Sequence, residues 1–133
     1  MSGFLDTSMV VRYLTRDVPE LAEQAANVID GEEDLWLIGV VLAETDYVLR
    51  SVYHLARDYV VDSLMEFVQK ENIRIYGVDK SLVLRGLQMC RPSARVSFAD
   101  ALIWATARSA GTEAVYSFDQ RFPAEGLEVR QTR

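Results

Sequence analysis

The sequence predicts an α/β domain built on a mostly parallel, five-stranded sheet flanked by helices on both faces. Short β-rich runs alternate along it with longer amphipathic stretches. Each helical stretch separates two strands, which calls for crossovers and parallel pairing rather than hairpins. No repeat, low-complexity tract or linker interrupts the pattern, because the few Gly and Pro residues are scattered. At 133 residues the chain is expected to be one domain, large enough to bury a core.

The elements follow in order. Gly3-Phe4-Leu5 reads as a first strand, and helices are expected over Ser8–Arg16 and Pro19–Ile29, with Pro19 in a first turn and Gly31 past an end. Leu35-Trp36-Leu37-Ile38 is the second strand, followed by helices over Val41–Val52 and Ala56–Glu71. Ile73-Arg74-Ile75-Tyr76 is the third, followed by helices over Lys80–Met89 and Phe98–Ala110, with Gly111 at the helix end. Ala114-Val115-Tyr116-Ser117 is the fourth strand and Leu127-Glu128-Val129 the fifth.

Composition bounds the function. Half of the residues are hydrophobic and 26% are charged, as in an ordinary globular protein. No apolar run reaches the roughly 18 residues of a transmembrane helix, so no membrane association is expected. Asp6 interrupts the N-terminus and no basic region precedes it, which argues against a signal peptide. The one cysteine, Cys90, excludes an internal disulfide and a cysteine-rich zinc site, and a reducing cytoplasm is expected.

A net charge of −6 argues, taken alone, against a nucleic-acid partner. Its distribution is uneven. Asp17, Glu20, Glu23, Asp30, Glu32, Glu33 and Asp34 follow one another with no base between them. From Arg74 to Arg108 the balance reverses, with Arg74, Lys80, Arg85, Arg91, Arg95 and Arg108 against Asp79 and Asp100. That segment is either a patch for a phosphate backbone or an ordinary solvated face.

Four acids sit in apolar surroundings: Asp6 after Phe4-Leu5, Glu44 after Val40-Val41-Leu42-Ala43, Asp100 within Phe98-Ala99-Asp100-Ala101-Leu102-Ile103, and Asp119 after Val115-Tyr116-Ser117-Phe118. A buried ionised acid is paired, protonated or bound to metal. No lysine or arginine lies within three residues of Asp6 or Glu44. Asp6 and Asp119 fall at the carboxyl ends of strands, the edge where α/β sheets bind ligands. Glu44, amid Val40, Val41, Tyr47 and Val48 at helical spacing, is expected in the middle of an inward apolar face, and Asp100 is also expected to look inward. The four are expected to share one pocket and a hard divalent cation.

Each acid also has a structural reading. Asp6 fits an N-cap, Ser97-Phe98-Ala99-Asp100 has capping-box spacing, and Asp119 fits an Asx-turn before Arg121. Asp46, with Arg50 four residues on, reads as a surface ion pair. Ser8 and Ser117, two residues from Asp6 and Asp119, fit either support of a metal shell or local turns. His54 reads as a solvated loop residue, Trp36 and Trp104 as core, and Cys90 as a structural thiol.

Leu5-Asp6-Thr7-Ser8, Leu42-Ala43-Glu44, Phe98-Ala99-Asp100-Ala101-Leu102-Ile103 and Ser117-Phe118-Asp119-Gln120-Arg121-Phe122 resemble the four acidic motifs of PIN-domain ribonucleases. The similarity extends to the VapC toxins of bacterial and archaeal toxin–antitoxin pairs. It runs over the whole chain, with the motifs in the family's order. Two positions depart from the pattern. Many members carry Asn where this chain has Ser8, and small residues are common where Trp104 stands, a position from which a large indole could line or narrow the pocket.

The resemblance implies a single PIN-like nuclease domain over residues 1–133, Mg²⁺ or Mn²⁺ in an acidic pocket, and RNA as substrate. It further implies a homodimer and inhibition by a cognate VapB-type antitoxin. Asp6, Glu44 and Asp100 are then expected to hold the principal metal, with Asp119 completing the site and Ser8 and Ser117 supporting it. A metal-activated water would hydrolyse the phosphodiester, leaving a 5′-phosphate and a 3′-hydroxyl. By position alone, Arg85, Arg91 or Arg95 would grip the RNA backbone. Two other functions stay open: a catalytically weak PIN-like domain that binds RNA or protein, and a haloacid-dehalogenase-like phosphatase. The latter normally needs a second Asp where Ser8 stands.

Overall fold

The computed structural model describes residues 2–133. Strand β1 (Gly3–Phe4) leads into helices α1 (Thr7–Thr15) and α2 (Pro19–Ile29); β2 (Leu35–Leu37) into α3 (Gly39–Ser51) and α4 (Arg57–Val68). Strand β3 (Ile73–Ile75) leads into α5 (Lys80–Cys90) and α6 (Phe98–Ser109), and β4 (Ala114–Tyr116) and β5 (Glu128–Arg130) close the chain. Local chemistry sets most of these boundaries. Pro19 occupies the first turn of α2, where its missing N–H costs nothing. The Asp79 carboxylate accepts the Ser81 N–H to start α5, and the Ser97 hydroxyl accepts the Asp100 N–H to start α6. Past α6, Gly111 takes φ 74°, a conformation open to glycine at little cost.

All strand pairings are parallel. They form a three-stranded ladder in the order β1-β2-β3 and a separate β4-β5 pair, not the continuous five-stranded sheet expected. A two-residue β1 offers few N–H and C=O groups for a second ladder on its other edge.

The alternation of side chains along a strand places the core. Leu35, Leu37, Ile73 and Ile75 point into the larger cluster, with Val10, Ile29, Leu42, Leu49, Leu64, Phe67 and Leu87 from the helices. Each such side chain contributes about 1.5–3 kcal/mol by leaving water. Trp36 points the other way, against the core role expected of it. Half-buried, it meets Phe4 and Tyr76 at ring-centroid distances of 6.4 and 6.4 Å, and Phe4 and Tyr76 lie 6.1 Å apart. Trp104 is fully buried in a second cluster with Ala105 and Phe122, next to Val115 and Val129 of the β4-β5 pair. Its Nε1–H donates to the Glu125 carbonyl at 2.8 Å. The indole is therefore core, as the sequence predicts, and does not serve to narrow a pocket. Among the described residues no helix is long and apolar enough to cross a membrane.

The basic stretch from Arg74 to Arg108 is largely consumed inside the molecule. Arg74 pairs with Asp34, Arg85 with Glu125 and Arg91 with Asp62. Lys80 donates to the Lys70 and Ile73 carbonyls, and Arg108 lies over the Trp104 ring at 5.5 Å.

Candidate functional site

Asp6 follows β1 and occupies the N-cap of α1, yet its side chain caps no backbone N–H. The carboxylate instead accepts a hydrogen bond from the Ser8 hydroxyl at 3.0 Å. The helix is nucleated by the Asp6 carbonyl, which accepts from the Met9 and Val10 N–H groups. The carboxylate thus stays exposed and available.

Glu44 stands on α3, and here the sequence expectation is corrected. The buried face of α3 is Val41, Leu42, Thr45, Asp46 and Leu49. Glu44 is exposed, as are its neighbours Val40 and Tyr47. Apolar residues stand on every side of this helix among its polar ones, so helical spacing did not reveal which side would dock. Asp46 is corrected in the opposite sense. It is only 6% exposed, and Arg50 grips it with two bonds, Nε to Oδ1 at 3.1 Å and Nη2 to Oδ2 at 2.7 Å. The expected pair forms, but its acid lies inside the protein, where the fork satisfies both oxygens.

Asp6 and Glu44 line one cleft of about 400 Å³ between α1 and α3, together with Ser8, Arg12, Val48 and Tyr53. Neither acid is ion-paired among the described residues. Arg12 and Tyr53 were not among the sequence candidates. Arg12 lies four residues after Ser8 and so on the same face of α1, the one local signal that pointed to it. Tyr53 arrives only through the packing of α3 on α1.

Asp100 lies in the first turn of α6, half-buried. Its N–H is held by Ser97, but its carboxylate does not complete the reciprocal half of a capping box. A shallow apolar groove between α3 and α6 is lined by Ala43 and Ala99, each one residue before an acid. The charge of Asp100 also reaches Cys90, whose thiol is pushed up to about 11, first by burial and then by the charge of Asp46, with Asp100 adding to it.

Asp119 closes the Asx-turn that its sequence permits. Its Oδ1 accepts the Arg121 N–H at 2.8 Å, and its own N–H donates to Ser117 Oγ at 3.0 Å. The Arg121 N–H holds the carboxyl below the usual range. Asp119 and Ser117 line a separate pocket with Gln120, Phe122 and Gln131. Of the four acids, Asp6 and Glu44 line one cleft and Asp119 another pocket. Among the described residues no three His, Cys, Asp or Glu side chains come together as a metal-binding group.

The other candidates are dispersed. Arg85 and Arg91 close their forks on Glu125 and Asp62, Arg95 sits exposed before α6, and none lines the Asp6–Glu44 cleft. His54 is exposed in the loop after α3, at φ 55°.

Two unpaired carboxylates and a hydroxyl are an all-oxygen donor set. It suits a small hard cation that keeps several waters and takes its remaining ligands from a phosphate. It does not suit zinc or copper, which call for imidazole or thiolate. A family profile described as PIN domain matches residues 3–125 of the chain. No curated protein matches it significantly.

Proposed function

The chain belongs to the PIN domain family, whose general activity is that of a nuclease, and on that premise we propose that it is a Mg²⁺- or Mn²⁺-dependent endoribonuclease. The observation that carries this reading is the pair of unpaired carboxylates, Asp6 and Glu44, in one cleft beside the carboxyl end of β1. Asp6 and Glu44 would hold the cation, while Asp100 at the start of α6 and Asp119 in its own pocket beyond β4 are proposed as further ligands on the family resemblance alone. When bound, the cation makes water nucleophilic near neutral pH and neutralises charge on the phosphoryl oxygens. The chain's own part is to fix the acids. Ser8 orients Asp6 by donating to Oδ2, Ser117 fixes the backbone at Asp119, and the valines of α3 and α1 form an apolar wall.

By its resemblance to VapC toxins, the proposal extends to a cytoplasmic toxin that forms a homodimer and is restrained by a VapB-type antitoxin. An exposed apolar groove between α3 and α6 supports the dimer, with Val40 64% and Ile103 50% exposed along it.

The test is cleavage. Purified chain should cut RNA in Mg²⁺ or Mn²⁺, stop in EDTA, and lose at least about 100-fold in rate on Asp6→Asn or Glu44→Gln while remaining folded. Induced expression should arrest growth and leave RNA fragments with the wild-type chain and not with Asp6→Asn. Undiminished cleavage by both variants would remove the assignment. RNA binding without cleavage in any metal would favour the scaffold function instead.

A further inference from the structure

Arginine meets an oxyanion best through its side edge, where Nε–H and Nη2–H lie parallel as a two-pronged fork. Three arginines of this chain use that edge on a carboxylate: Arg50 on Asp46, Arg85 on Glu125 and Arg91 on Asp62. Arg12 is held differently. Its Nη1 alone is engaged, donating to both oxygens of Asp17 at 2.9 and 2.8 Å and lying 3.4 Å from the Tyr53 hydroxyl. Its Nε and Nη2 have no partner among the described residues.

The anchor is built around this contact. Helix α1 ends at Arg16, a non-glycine residue at φ 53°, whose N–H returns to the Arg12 carbonyl at 3.0 Å. That left-handed turn brings Asp17 back alongside Arg12. The Asp17 carboxylate also accepts from Thr15 Oγ1 at 2.9 Å and from the Tyr53 hydroxyl at 2.6 Å. These bonds, with Tyr53 first, hold the Asp17 carboxyl well below its ordinary range, so the anchor stays ionised at neutral pH. An ion pair with both side chains about one-third exposed adds little to stability. Fixing a cation whose better binding edge is left open is a role that stability does not supply.

The cleft shared with Asp6 and Glu44 says what that edge faces. Along α1 the axial rise from Asp6 to Arg12 is about 9 Å. Asp6, Glu44, Arg12 and Tyr53 all line this one cleft. A single strand with one phosphate at the acids would carry its next phosphates toward Arg12, and Val48 and Val52 offer an apolar wall between. We infer that Arg12, anchored by Asp17 and Tyr53, binds a non-scissile phosphate of the RNA strand through its Nε/Nη2 edge and so sets the strand's register at the Asp6–Glu44 site. The inference rests on the proposed ribonuclease function and adds to it a substrate-binding residue. Asp17 and Tyr53 act through Arg12 as positioning residues.

The experiment uses the full chain carrying Asp6→Asn, so that RNA is bound without being cut. Its affinity for a labelled single-stranded oligoribonucleotide is measured by fluorescence anisotropy across a KCl series at constant Mg²⁺. One phosphate contact on a single strand contributes about 0.7 to the slope of log K against log salt. Adding Arg12→Ala should weaken binding at least about tenfold and lower the slope magnitude by about 0.7. Arg12→Gln, which retains a donor toward Asp17 and Tyr53, should reproduce both changes and covers the case in which Arg12→Ala does not fold. Arg12→Lys should preserve the slope and lose part of the affinity, because it keeps the charge and lacks the fork. A merely structural Arg12 would lower the melting temperature and leave the slope untouched. Folded Arg12→Ala or Arg12→Gln chains with unchanged affinity and slope overturn this inference alone. A wild-type chain that neither cuts nor binds RNA removes the proposed function, and this inference with it.

Discussion

Glu44 and Asp46 lie two positions apart on α3 and end in opposite environments, one exposed and one buried. The difference is partner geometry. Asp46 is tolerated inside because Arg50, one turn on, satisfies both carboxylate oxygens from the same helix. Glu44 has no such fork and stays in the cleft with Asp6. Behind them Cys90 is buried, its Sγ–H directed at the Gly86 carbonyl at 3.3 Å. Burial raises its thiol from an ordinary 9.0 to about 11, with Asp46 reinforcing the shift. Since the raised group is the neutral thiol, its contribution to stability is complete below pH 9 and fades as pH rises through about 11. At pH 8 alkylation of Cys90 should therefore be at least about 100-fold slower in the folded than in the unfolded chain. Mass spectrometry after iodoacetamide treatment, with and without denaturant, measures it. Equal rates would mean that Cys90 is not buried as described.

At the scale of the element, α5 and α6 meet where a side chain is missing. Gly86 stands in the middle of α5, where glycine costs about 1 kcal/mol relative to alanine. A Cβ there would lie 3.2 Å from the Ala101 carbonyl oxygen and 3.3 Å from its Cβ, so the absence of a side chain sets how closely the helices approach. Gly86→Val should then destabilise the protein by about 1–3 kcal/mol, read from urea unfolding, because the extra methyls push α6 off α5. An unchanged midpoint would show that the contact is looser than it is here. The start of α6 depends on this packing, so cleavage by the variant should fall along with stability. The helices themselves were legible: Pro19, the capping-box spacing from Ser97 and the apolar periodicity put α2, α5 and α6 within a residue or two of their observed ends. The reason for Gly86 was not, because Ala101 opposes it only after the helices dock.

Across the whole molecule, the α3–α6 groove joins the question of assembly to that of the site. Its lining is almost wholly apolar or small, and two of its residues, Ala43 and Ala99, directly precede Glu44 and Asp100 in sequence. If the proposed homodimer forms there, each protomer's groove is covered at the edge of its own acids. Val40→Asp or Ile103→Asp should convert the dimer to a monomer in analytical ultracentrifugation, since a charge placed in an apolar interface is costly. A wild-type chain that sediments as a monomer at high concentration would end the dimer proposal and leave the nuclease proposal standing.

The sequence by itself determined the alternation of five strands and six helices, the parallel pairing, and the order of the acidic motifs. Helix periodicity, caps and strand alternation act over a few residues, so each is written locally. Only the tertiary structure decided that Asp6 and Glu44 share a cleft, that Asp119 lies in another pocket, and that Trp36 turns away from the core. It alone brought Arg12, Asp17 and Tyr53 together, from the two ends of α1 and α3. The rotation of a helix about its axis is set by what it packs against, and α3, with apolar residues on every side, carries no local mark of that choice. The basic run from Arg74 to Arg108 makes the same point in reverse. Charge that read as a free patch is mostly spent on Asp34, Glu125, Asp62 and backbone carbonyls, partners that folding alone supplies.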